Sequence, residues 1–291
     1  MSKTAQLFII SAAFLWGLMG LVTRPLTAAG FSLFQIVAAR SVIASVGLFT
    51  FLLITDREKL KISIKHVPLF VIIGCVLPLN SLNYFNAIEM ITLSAAAILL
   101  YTAPYMVMAM SALVFKEKIT LQKVCALLIA FSGCVMTIGV VDSERLSALG
   151  VVSGLAAAFF YALYTILLKV ALKNYTPFTV TVYAFGVSGI VLIPICDFGG
   201  LIRLAAVGES TALNLLALGF IVTLIPFIFY TKGLEKTEPS RVSIIAFVEP
   251  LTASAVGIAM FGEMLTPFKL LGIALIFLSL IILNLKRVEK L

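Results

Sequence analysis

Residues 249–283, EPLTASAVGIAMFGEMLTPFKLLGIALIFLSLIIL, rewrite residues 101–136, YTAPYMVMAMSALVFKEKITLQKVCALLIAFSGCVM. An offset of 146 lays Pro104 on Pro250, Glu117 on Glu263, Thr120 on Thr266 and Lys123 on Lys269. The register continues upstream, placing Tyr84 on Tyr230 and Glu89 on Glu235. One position less, 145, brings Arg24 onto Lys169 and Trp16-Gly17 onto Tyr161-Ala162. Agreement over so many polar and aromatic positions marks an internal duplication, with 1–144 as one copy and 145–291 as the other.

Each copy is built for lipid. The chain of 291 residues is 62% hydrophobic and 12% charged, and its mean hydropathy is +1.17, values that exclude a soluble domain of this size. A bilayer core needs roughly 20 apolar residues per helix. Ten such runs are present, at about 4–26, 32–54, 67–88, 92–115, 120–141, 148–170, 177–196, 213–232, 239–261 and 266–286. The first is followed at once by another and reads as a retained helix, not a cleaved signal. Five spans per copy is an odd number, so the second copy enters the membrane upside down relative to the first. The expected fold is an all-α integral membrane protein of ten transmembrane helices in two inverted five-helix repeats, the plan of many secondary transporters, with a substrate site at the midplane between halves.

Charge sets the orientation. With a cytoplasmic N-terminus, sixteen Lys and Arg fall inside: Lys3, Arg57, Lys59, Lys61, Lys65, Lys116, Lys118, Lys123, Lys169, Lys173, Lys232, Lys236, Arg241, Lys286, Arg287 and Lys290. Only Arg24, Arg145, Arg203 and Lys269 fall outside, so both termini are expected in the cytoplasm, in a multi-pass protein of the cytoplasmic membrane. The net charge of +8 is thus a feature of topology and calls for no nucleic acid. The single histidine, His66, lies in a basic loop, and Cys75, Cys125, Cys134 and Cys196 are scattered without a CxxC pair and read as small buried hydrophobes. No HExxH, Walker motif or pair of mid-membrane carboxylates is present, which leaves no sequence basis for an enzyme, a metal, a cofactor or direct use of ATP.

The ordered set of Glu249-Pro250, then Gly262-Glu263 and Thr266, then a Gly-bearing last helix resembles the closing segment of the EamA family of the drug/metabolite transporter superfamily. Residues 101–136 are the weaker copy, with Lys116-Glu117 in place of Gly-Glu and no Glu before Pro104, and SAAFLWGLMGLVTRPL resembles the family's first helix. The resemblance spans nearly the whole chain. It implies a ten-helix carrier that moves small metabolites, often amino acids, out of the cell by alternating access. Importers also occur in the family, so uptake of a nucleoside-like or vitamin-like solute stands as the alternative, and a non-transporting structural membrane protein as a further one.

The residues themselves name candidates for the pathway. Glu249 lies near mid-depth, where a charge costs about 2.5–3.5 kcal/mol on insertion scales. Three roles fit it: a solute ammonium or coupling proton held in a watery cavity, a fixed ion pair with the mid-span Arg40, or burial as the neutral acid. Arg40 correspondingly serves either as that charge partner or as the contact for a substrate carboxylate. Pro250 removes a backbone donor and is expected to free the Ala246 carbonyl; Pro104 and Pro250 are both helix breaks. Asn80, Asn83 and Tyr84 share one helical face and either line the pathway or bond neighbouring helices. Trp16, Tyr101 and Tyr161 sit too deep for an interfacial belt, and the repeat mates Trp16 with Tyr161 and Tyr84 with Tyr230 are expected either to cage a small solute or to pack between helices. Glu117 and Glu263 read as loop or helix-start groups, with gating as the alternative, and Gly17, Gly20, Gly150, Gly154 and Gly272 as sites of close helix approach, which leaves monomer or homodimer open.

Overall fold

A computed structural model describes residues 2–139 and 147–285, and among these every regular element is helical. Nine helices in it are long and apolar enough to span a bilayer: α1 (Lys3–Ala28), α2 (Leu33–Thr55), α3 (Ile64–Met90), α4 (Leu93–Phe115), α5 (Leu121–Ile138), α6 (Ala148–Ala171), α8 (Glu209–Glu235), α9 (Pro239–Phe261) and α10 (Pro267–Asn284). The tenth, α7 (Pro177–Leu192), has 16 residues, about 24 Å of helix. It stops earlier than its hydropathy predicts because Pro194 follows closely. A short helix, Phe198–Ala205, continues from it, capped by the Asp197 carboxylate, which accepts from the Gly200 N–H at 2.8 Å. Arg145, Lys286, Arg287 and Lys290, and the junction between the two copies at residues 144 and 145, lie outside the described residues.

The two copies interdigitate. Helix α1 packs on α8 and α9, α2 on α7 and α8, α3 on α6 and α7, α4 on α6 and α9, and α5 on α10. Exchanging the copies, α1 for α6 and so on, returns the same list, the contact pattern of a two-fold pseudosymmetry, which α9 breaks by packing on α5 as well. Small residues make the crossings tight: an added Cβ on Gly133 would meet the Gly272 carbonyl oxygen at 2.6 Å, and one on Gly272 would meet the Gly133 carbonyl at the same distance. The α10 C-terminus is satisfied across the repeats as well, with Gln122 Nε2 donating to the carbonyls of Ile282 at 2.6 Å and Leu285 at 2.9 Å.

Four spans are not continuous α-helices. Helix α1 is interrupted at Leu18, α4 between Leu100 and Ala103, and α9 between Ile245 and Val248, while α8 widens to a π-turn at Phe220–Leu224, just before Pro226. The breaks in α4 and α9 are repeat mates. Pro104 and Pro250 each fall in the first turn of the second half-helix, where N–H groups lack intrahelical partners and a missing donor costs nothing. The Ala246 carbonyl, however, is not freed by Pro250: the chain tightens at the break and Glu249 N–H donates to it at 2.9 Å.

Candidate functional site

The two breaks face a common cavity of about 40 Å³, lined by Leu100, Tyr101, Ala103 and Pro104 from α4, Tyr161 from α6, and Ser243, Ala246, Phe247 and Glu249 from α9. Both second half-helices begin at its wall, so the positive ends of their dipoles lie beside it. Glu249, second residue of its half-helix, sits where such a dipole favours a carboxylate by about 0.3–1 kcal/mol, offsetting part of the cost of burial. The Tyr101 hydroxyl reaches toward the Glu249 carboxylate, and its ring stacks on Phe247 at 5.7 Å. A cavity of this size admits a few waters and no whole metabolite.

Next to this cavity lies an aromatic cluster. Trp16 packs edge-on against Phe227, centroids 5.0 Å apart, and tilted on Tyr230 at 5.3 Å. Tyr230 is 2% exposed and its hydroxyl shares a hydrogen bond with Thr165 at 3.0 Å. Trp16 packs on Tyr230 and Phe227 and not on its mate Tyr161, whose hydroxyl meets that of Tyr230; Trp16, Phe227 and Tyr230 belong to the packed core. Tyr84, mate of Tyr230, packs on Phe85 instead. The asparagines bond backbone. Asn80 donates its amide to the Ala157 carbonyl of α6 at 2.8 Å, and Asn83 donates to Leu79 within its own helix at 2.8 Å. Each amide thus gives one N–H to a backbone oxygen, the interhelical bond for Asn80 and a local one for Asn83.

Arg40 makes no ion pair with Glu249, nor with any other described residue. Its Nε has no hydrogen-bond partner, one terminal nitrogen rests 3.8 Å from the Met19 sulfur, and the guanidinium lies 5.9 Å from the Phe227 ring centroid. Two mid-span charges need not share an azimuth, and of the roles open to Glu249 the fixed pair with Arg40 is not formed here. Ser243, which lines the cavity, and Tyr164, whose buried hydroxyl has no partner, belong to the same region; nothing in their local sequence separates Ser243 from an ordinary small helical residue.

Comparison with known proteins agrees with this architecture. Residues 3–139 and 148–285 each match the EamA-like transporter family. An uncharacterized transporter of Bacillus subtilis, YwfM, is 27% identical over 96% of this chain and 93% of its own. The pseudopaline exporter CntI of Pseudomonas aeruginosa is 24% identical over 97% of this chain and 96% of its own. A crystal structure at 17% identity superposes with a TM-score of 0.81 over 98% of both chains and shares the fold. Two family matches, one per half and together covering most of the chain, place this membrane protein in the EamA-like transporter family.

Proposed function

We propose that the protein is a secondary carrier that exports small metabolites, amino acids or related compounds, across the cytoplasmic membrane by alternating access, with both termini cytoplasmic. The observation that carries this reading is the cavity at the facing breaks of α4 and α9, where Glu249, Tyr101, Tyr161 and Ser243 meet at two half-helix N-termini. Discontinuous helices at mid-membrane, with their ends turned to a shared pocket, are the parts from which such carriers build a substrate site. In this reading Glu249 takes the ammonium of the solute or a coupling proton, the tyrosines flank its apolar part, and Arg40, a cation without a partner, takes its carboxylate. Export as the direction is supported by one full-length relative whose name is that of an exporter.

The test compares metabolites outside and inside cells that express the parent or its Glu249→Gln variant at matched membrane levels. Amino acids or related compounds accumulating outside only with the parent are the expected result. Equal efflux from both would remove Glu249 from the mechanism, and uptake of an added solute without efflux would reverse the direction.

A further inference from the structure

The loop after α4 and the loop after α9 are the same structure. Each opens on a left-handed residue, Lys116 at φ 55° and Gly262 at φ 67°, followed by a glutamate whose N–H returns to the carbonyl of Ser111 or Gly257. Each then caps the next helix with a threonine, Thr120 accepting from Lys123 N–H and Thr266 from Lys269 N–H. That Lys116 takes a conformation suited to glycine, at a cost of about 1 kcal/mol, shows that the turn is required even where the residue opposes it.

The two loops stand at opposite ends of the bundle and are in different states. At the basic end, Glu117 accepts from Lys123 Nζ at 2.5 Å, from Ser111 of α4, and from Ser240 at the start of α9, in the other repeat. Lys123 also pairs across the repeats with Glu238 at 2.9 Å. The Lys123 and Glu117 side chains are only 3% and 5% exposed. At the opposite end, Glu263 meets Lys269 at 3.0 Å and Arg24 at 3.5 Å, and is 40% exposed. Its counterpart of Ser240 is Ser94, likewise the second residue of its helix, and Ser94 makes no side-chain hydrogen bond among the described residues. At the basic end Glu117 and Lys123 are buried in the wall of an open pocket of about 740 Å³ and the carboxylate holds a serine of the other repeat, whereas at the opposite end Glu263 is linked to the other repeat by Arg24 alone and its serine contact is unmade.

We infer that these two loops are reciprocal locks of the transport cycle: Glu117 closes on Ser240 in the present state, and Glu263 closes on Ser94 when the basic end opens. This rests on the carrier reading, and it assigns the gates to residues remote from the solute cavity. The chemistry fits the task. A carboxylate with three donors around it is stable while buried, yet each partner is a polar group at a helix end that water can satisfy once the ends part. The same contacts drawn from the other copy can then form at the far end, since the loop geometry is already in place.

The test measures distances between spin labels in the full chain reconstituted in lipid, with the four cysteines replaced by serine or alanine. One pair, Lys118→Cys with Lys236→Cys, reports the basic end; the other, Leu93→Cys with Met264→Cys, reports the opposite end. The parent should give mainly the short distance at the basic end. Glu117→Gln should add a longer population there and, in the same sample, a shorter one at the opposite end; Glu263→Gln should suppress that exchange. Ser240→Ala removes one contact and leaves the ion pair, so it carries the test if Glu117→Gln misfolds. A basic-end distance that neither variant moves, or lengthening there with no shortening opposite, overturns the proposal. Solute flux by the parent with unmoving distances sinks the locks and spares the carrier, whereas reciprocal distances without flux do the reverse.

Discussion

The sharpest prediction concerns two glycines three residues apart. An added Cβ on Gly17 would meet the Thr252 side chain, the Glu249 carbonyl oxygen at 2.8 Å and the Ala253 nitrogen at 2.9 Å; on Gly20 it would meet nothing within 4 Å. Ordinary Cβ contacts begin near 3.4 Å, so in Gly17→Ala the α1 and α9 backbones must part by roughly half an ångström, and backbone atoms of packed helices cannot rotate aside. Overpacking of this kind costs about 1–3 kcal/mol. Gly20→Ala meets no such obstacle and gains helix propensity, about 0.5–1 kcal/mol. Melting of the purified protein in one detergent should therefore fall by several degrees in the first variant and stay level or rise in the second. Because the clash is with the residues at the break itself, Gly17→Ala should also lower transport in proportion beyond its effect on folded yield. Equal melting of both variants, or a Gly17→Ala protein as stable and active as the parent, would refute the close crossing of α1 on α9.

Two further predictions follow from the polar groups. Tyr230→Phe removes only the hydroxyl that meets Thr165 and Tyr161 and should cost about 0.5–1.5 kcal/mol in stability, read as a lower melting temperature, with the Thr165→Val double variant recovering part of the loss. Lys123→Met should cost about 3–5 kcal/mol by stranding Glu117, and a double-mutant cycle with Glu117→Gln should show strong coupling. Acid probes the same group. Burial pushes the Glu117 carboxyl up, but Lys123, Ser111 and Ser240 outweigh it and hold the group below its ordinary 4.5. A depressed carboxylate stabilises fully above its ordinary value and loses that contribution only as pH falls through the lowered one. The basic-end distance should therefore be flat across neutral pH and lengthen only in acid below the usual carboxylate range, and a transition near neutrality would contradict the assignment of the charge.

Much of this architecture was legible in the linear chain because its causes are local or periodic. Apolar runs of bilayer length fix the spans, and the offset of 146 fixes the duplication. Pro104 and Pro250 announce the breaks, since a ring that cannot donate must sit where donors are idle. Glu249 and Tyr101 could be picked out as polar groups too deep to be incidental, and the structure brings them together at the cavity. What the hydropathy pattern could not give is azimuth. Almost every residue of these helices is apolar, so no amphipathic stripe tells which face meets a neighbour, a cavity or lipid. Asn80 and Asn83 occupy one face as counted along the helix, yet one meets the Ala157 carbonyl and the other its own backbone.

Sequence alone, then, determined the number and order of the spans, the distribution of charge between their ends and the repeat that relates the halves. Only tertiary structure decided that Trp16 lies on Tyr230, that Arg40 and Glu249 stand apart, and that Glu117 reaches Ser240 at a separation of 123 residues. The physical reason is the same in each case. Span formation is a property of one segment and its solvent, whereas a contact between repeats depends on how ten rods, each apolar all round, rotate until their few small and polar residues find one another.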